Sequence, residues 1–173
     1  ALRRLPPPVP DDPRIDLAEA GAAKALTDFD GQQRAAAAAA AKSQKEGAVL
    51  LFAQARLSES SALLNLGRLD EARQAATQAR ELFAVSGDLG NAARARNVIA
   101  VSFAMRGQFA EARTLFQEAL EEFRRIGDQR GLATQLENVA GAELRLGHAD
   151  EARALFEQAI SVARETGDVS LAA

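Results

Sequence analysis

Gly67, Gly107 and Gly147 stand 40 residues apart in this chain, and so do Gly47, Gly87, Gly127 and Gly167. The two series are offset by 20, so each 40-residue unit carries two glycine stops. Glu71, Glu111 and Glu151 keep the same step, as do Ala72, Ala112 and Ala152, and Arg73, Arg113 and Arg153. Self-similarity at a fixed period is the mark of a repeat array, in which each unit buries its apolar face only against its neighbours. Whatever one unit folds into, the next must fold into as well.

The half-unit between two glycines reads as a helix. In 112–126 the residues Ala112, Leu115, Phe116, Ala119, Leu120, Phe123 and Ile126 fall on one face of a 3.6-residue repeat, and 152–163 repeats the pattern. Gly87, Gly127 and Gly167 are placed to take the left-handed conformation that ends a helix. Asp88, Asp128 and Asp168 follow them as candidate N-caps, with Asp70 and Asp150 in the same role after the other series. No stretch alternates with period two, so no strand is expected.

Helix pairs are predicted at 14–26 with 30–46, 48–66 with 70–86, 88–106 with 110–126, and 128–146 with 150–166. The fold class is all-α: antiparallel helix pairs wound into an α-α superhelix, a solenoid. Repeats span about 14–47, 48–87, 88–127 and 128–167, and 168–173 reads as the start of a next repeat cut short. The first repeat is degenerate, with Thr27 at a glycine position and seven consecutive alanines at 35–41. Alanine is the best helix former, so this low-complexity run still reads as helix. Residues 1–13 hold every proline and form a linker or arm.

Composition narrows the class. A net charge of −3 gives no basic footprint for nucleic acid. No run of eighteen apolar residues crosses a membrane, and no secretory leader is legible. There is no cysteine, which removes disulfides and thiolate chemistry and fits a cytoplasmic protein. All basic residues but Lys24, Lys42 and Lys45 are arginine, a bias of GC-rich bacterial genomes. The first residue is Ala, which reads as a piece cut from a longer chain, and Leu155 and Val162 are then expected to lack cover.

The run Gly-x-x-x-Glu-Ala-Arg-x-Leu-Phe-x-x-Ala resembles the tetratricopeptide repeat, a helix–turn–helix unit. Gly107, Ala112, Phe116 and Ala119 carry the match, and again Gly147, Ala152, Phe156 and Ala159, with Ile99, Ala100 and Phe103 in the preceding helix. Leu63 and Glu143 depart from it where the family places an aromatic. At 40 residues the unit is similar to the long-helix subclass found in bacterial regulators and signalling proteins. HEAT and armadillo arrays share the length but lack this turn.

The search for chemistry is brief. His148 is the only histidine, in a turn with only Asp150 beside it, so no base with nucleophile and orienting acid is formed. The recurring Glu71, Glu111 and Glu151 suit the positive end of a helix. Their arginine neighbours read as stems laid over apolar surface. Within 118–130, Glu121 and Arg125 are spaced to pair. Gly90 and Gly131 are isolated, so there is no phosphate loop. No catalytic residue, metal ligand or cofactor is predicted; the chain reads as no enzyme.

The resemblance implies that the first helix of each pair lines a concave face that grips a peptide or partner segment. That face comprises Gln54, Leu57 and Ser61, then Arg94, Asn97 and Val101, then Thr134, Glu137, Asn138 and Gly141, flanked by Leu64, Ala104 and Leu144. Asn97 and Asn138 lie near where relatives place main-chain-binding asparagines, and an amide both donates and accepts. The lysine clamp of some relatives is missing, since Lys24 is the only first-helix lysine. The expected function is a non-enzymatic protein–protein interaction module in a larger bacterial regulatory or signalling protein. The alternatives are a self-associating scaffold, joined through array ends or through Ala100, Ala104, Gly141 and Ala142, and the effector-sensing domain of a transcriptional regulator. The partner is a protein or peptide, with no nucleic acid and no membrane.

Overall fold

A computed structural model of the chain describes residues 11–166. They form eight helices and no strand: α1 (Pro13–Ala25), α2 (Phe29–Glu46), α3 (Val49–Asn65), α4 (Leu69–Ser86), α5 (Leu89–Met105), α6 (Phe109–Ile126), α7 (Gln129–Leu146) and α8 (Ala149–Thr166). Every helix end falls within one residue of the span the glycine period predicts. Helices α1–α4 make one compact unit and α5–α8 a second, divided between Asp88 and Leu89. The arm read at 1–13 gives up Pro13, which is the first residue of α1. Residues 1–10 and the cut repeat at 168–173 lie outside the described residues, as do Gly167 and Asp168.

One turn is used throughout. Gly87 sits at φ 77° and donates to the Ala84 carbonyl, while the next amide, of Asp88, reaches back to Phe83. That pair of bonds is the Schellman motif, which satisfies carbonyls left over at a helix end. The same long bond recurs from Ala48 to Ser43, Arg68 to Leu63, Gln108 to Phe103, Asp128 to Phe123 and His148 to Glu143. Thr27, standing where the period demands glycine, keeps the turn: Asp28 donates to Ala23, and Thr27 takes φ 56°. A β-branched residue there is strained by about 1–2 kcal/mol, partly offset in a glycine variant by the larger unfolded-state entropy. Thr27→Gly is therefore expected to stabilise the first unit by roughly 0.5–1 kcal/mol, measured by urea denaturation. A loss of stability would show that the exposed Thr27 side chain makes compensating contacts.

Because both glycine series make the same turn, the cap is the residue directly after the glycine. Asp128 fills that place and accepts from the Gly131 amide at 2.9 Å. Asp28 does the same for α2, accepting from Gly31 at 2.8 Å, and Asp12 caps α1 through Arg14. Asp70 and Asp150 are not caps. Arg68 and Gln108 hold that position in α4 and α6 without a side-chain cap bond, and Asp70 and Asp150 lie inside the first turns of α4 and α8. Glu71, Glu111 and Glu151 are also in first turns, as the positive helix end favours.

The cores are built on alanine. Ala72, Ala112 and Ala152 are all buried, at the positions where the period places close crossings. In the first unit Ala39, Ala40 and Ala55 pack with Leu17 and Phe52, and Leu63 packs with Ala72, Ala75 and Leu64. The alanine run is thus helical and half buried. In the second unit Ala100, Ala112, Phe116, Val139 and Ala142 form one cluster, and Leu120, Leu136 and Ala159 another. Phe123 packs on Ala93 and Ala119, and its ring lies 2.3 Å from where a Cβ on Gly131 would stand. Leu155 and Val162 are not the bare end they were expected to be. Both are half buried against the cluster of Leu120, Leu136 and Ala159, because they face inward. The ring left open on α8 is Phe156, 38% exposed where its counterpart Phe116 is 3% exposed.

Ion pairs distinguish units that share a backbone. Asp16 of α1 binds Lys42 of α2 at 2.8 Å. Eighty residues on, at the equivalent positions, Arg96 of α5 binds Glu122 of α6 at 2.6 Å, with the charges exchanged. Leu136 and Val162 occupy those places in the last pair and join its apolar cluster. Glu121 pairs with Arg124, not with Arg125, and Glu118 also reaches Arg96. The three repeated arginines part company: Arg73 bonds Asp70 on its own helix, Arg113 reaches Glu143 on α7 at 3.5 Å, and Arg153 is exposed.

Candidate partner-binding groove

The second unit carries an open groove of about 400 Å³ between α5 and α7, floored by α6. The chain builds it from three helical faces. Helix α5 contributes Val101, Ala104 and Met105, α7 contributes Glu137, Asn138, Gly141, Ala142 and Arg145, and α6 supplies the rings of Phe109 and Phe116. The α7 residues recur at i, i+4 and i+8, so they share one side of the helix. A Cβ added to Gly141 would meet nothing within 4 Å. The space beside Gly141 is therefore open.

Of the predicted binding residues, the groove collects Val101, Glu137, Asn138 and Gly141. Asn97 joins them indirectly, because the Asn138 Nδ2 donates to its Oδ1 at 2.9 Å. The two asparagines were read as independent main-chain binders; they are a bonded pair. Their outer groups, Nδ2 of Asn97 and Oδ1 of Asn138, have no bond among the described residues. Arg94 and Thr134 lie one turn away and do not line the groove. Arg94 is drawn to Asp128, 3.6 Å away, and Thr134 donates to the Arg130 carbonyl.

In the first unit, Gln54 is exposed while Leu57 and Ser61 are half buried. The Ser61 hydroxyl is turned onto the Leu57 carbonyl at 3.1 Å. Of the small residues read as a self-association face, Ala100 and Ala142 are buried in the core. Sequence reasoning missed Met105 and Arg145, although each is four residues past a predicted lining residue, Val101 and Gly141. It also missed Phe109 and Phe116, whose spacing reads only as core.

Charge in the groove is divided. Arg145 lies over the Phe109 ring, 5.4 Å from its centroid, near enough for a cation–π contact. Glu137 has neither hydrogen bond nor ion pair among the described residues, and burial alone pushes its carboxyl above the ordinary 4.5. A raised acid pKa means that folding favours the protonated form. That contribution is whole below pH 4.5 and is lost as pH rises through the higher folded value. Glu137→Gln is thus expected to melt with the parent at low pH and above it near neutrality. Thermal melts at the two pH values check this; a gap that does not change with pH would mean that the carboxylate is well solvated.

Elsewhere the buried Glu143, in the position of the family's aromatic, binds His148 Nδ1 at 2.6 Å and Arg113. His148 thus ties the α7–α8 turn to α7. Among the described residues no group of three or more His, Cys, Asp or Glu is gathered to hold a metal. No described helix is long and apolar enough to cross a membrane.

A sequence model of the tetratricopeptide repeat matches residues 51–121 and 91–165. A search of curated proteins returns no match. Among solved structures the chain is similar to aspartyl phosphate phosphatase F from Bacillus subtilis, with TM-score 0.85 and 14% identity over 92% of this chain. It resembles a Rap protein complexed with competence and sporulation factor, with TM-score 0.78, 17% identity and 88% coverage. It also resembles a putative kinesin light chain with TPR-like repeats from Podospora anserina, with TM-score 0.71 and 16% identity over 88% of this chain and 75% of that one. The chain spans only 42% of the phosphatase and 44% of the Rap protein. At these identities the likeness is one of fold.

Proposed function

From the premise that the chain belongs to the tetratricopeptide repeat family, we propose that it is a non-enzymatic interaction module that holds a peptide or partner segment in the groove of α5–α7. The observation that carries this reading is the bonded pair Asn97–Asn138 at the edge of an apolar trough. Its open Nδ2 and Oδ1 offer one donor and one acceptor side by side, the pattern a main-chain amide presents in reverse. Fixing each amide by the other lowers the entropy lost when a backbone is bound. The Rap structure complexed with competence and sporulation factor supports the reading by analogy of fold. A place within a larger cytoplasmic regulatory or signalling protein of a bacterium is part of the same proposal.

The test uses Gly141. Its open surroundings accept a side chain without strain, so Gly141→Leu fills the trough while gaining helix propensity of up to about 1 kcal/mol. Heptapeptides selected from a random library on the parent chain are expected to lose binding to Gly141→Leu by about tenfold or more, with melting unchanged or raised. Asn97→Ala with Asn138→Ala is expected to weaken the same peptides. Selected peptides that bind Gly141→Leu as well as the parent would move the site away from this groove.

A further inference from the structure

Glu137 and Arg145 stand in the groove without a carboxylate–cation partner among the described residues, eight positions apart on α7. At 1.5 Å per residue that is about 12 Å along the helix. Between them the floor is apolar, made by Phe109 and Phe116 with Val101 and Ala104 on the α5 side. A groove with an uncompensated anion at one end and a cation at the other has a polarity, and its occupant must match it.

An extended chain advances about 3.3 Å per residue and turns alternate side chains to one face. Twelve ångströms is then about four residues, and the residues facing the groove are i, i+2 and i+4. Resting on the groove reading above, we propose that the occupant is an extended segment with the pattern basic–x–apolar–x–acidic. Its ammonium or guanidinium pairs with Glu137, its bulky apolar side chain lies over Phe109 and Phe116, and its carboxylate meets Arg145. The Asn97–Asn138 pair takes the main chain beside the basic residue.

Burial without a counter-ion holds the Glu137 carboxyl above its ordinary range, so a cation brought beside it relieves a cost already present in the free chain. Arg145 keeps its charge while resting on Phe109, so it repels a second basic residue at the far end. The pattern is thereby discriminated against its own reversal.

The experiment measures fluorescence anisotropy of labelled synthetic peptides with blocked ends. The first is Ala-Lys-Ala-Leu-Ala-Glu-Ala, and the second has glutamate in place of the lysine. The first is expected to bind the parent more tightly than the second by about tenfold or more, with the gap shrinking in high salt. In Glu137→Lys the preference is expected to invert, while far-ultraviolet circular dichroism stays that of the parent. Equal affinities for the two peptides, both abolished by Gly141→Leu, would overturn the charge pattern and leave the groove standing. Binding of neither peptide, together with library peptides indifferent to Gly141→Leu, would overturn the pattern and the groove together.

Discussion

Gly131→Ala is expected to destabilise the second unit, although the same change in an open helix stabilises. The added Cβ would stand 2.3 Å from the Phe123 ring, closer than any methyl can pack. That ring cannot swing aside, because it is buried against Ala93 and Ala119 with Leu132 beside it. Overpacking of a filled core costs about 1–3 kcal/mol, against which exchanging glycine for alanine in a helix returns up to about 1 kcal/mol. The net effect is a loss, and Gly21→Ala is the control. Gly21 is an exposed α1 residue with nothing within 4 Å of its Cβ position, so Gly21→Ala is expected to gain the propensity term alone. Urea denaturation of the two variants should give opposite signs. Equal signs would mean that α7 can slide away from Phe123.

Ala112→Leu is expected to act in the same direction and more strongly. Ala112 has no exposed surface and sits in one cluster with Ala100, Phe116, Val139 and Ala142. Three more carbons there must push α6 from α5 or α7, and the expected loss is about 3 kcal/mol, at the upper end for such insertions. In a chain of this length that is a fall in melting temperature of roughly 6–12 °C. The equivalent place in α2 holds the buried Gln32, whose Nε2 bonds the Ser58 carbonyl at 3.0 Å. The first unit thus already accommodates a longer side chain there by giving it a partner. Ala112→Leu melting like the parent would show that the α6 crossing has similar slack.

The helices were legible from glycine alone because a left-handed turn is a backbone requirement, and the backbone requirement is the same in every repeat. Even Thr27, which breaks the residue rule, obeys the conformational one. What the period hid is whatever depends on a partner from another helix. Asp70 looked like Asp128 because both follow a glycine, but only the residue directly after the glycine can reach the free amides. Arg73 and Arg113 are copies in sequence, yet one pairs locally and the other across helices, since Glu143 is present in only one repeat. Within the groove, the α7 residues were readable as one helical side. The Asn97–Asn138 bond and the rings of α6 were not, because both need the spacing between helices.

The exchanged pair, Asp16 with Lys42 and Arg96 with Glu122, bears on how such a chain finds itself during synthesis. Copies of one unit offer nearly interchangeable partners, and a growing repeat protein can close on the wrong one. If α1 closed on α6, two carboxylates would meet, Asp16 and Glu122. If α5 closed on α2, two cations would meet, Arg96 and Lys42. Like charges brought together at these positions cost stability, whereas the native partners attract. The two pairs therefore work as a proofreading device. The shared glycine turn lets any hairpin form, and the side chains reject the one built from mismatched halves.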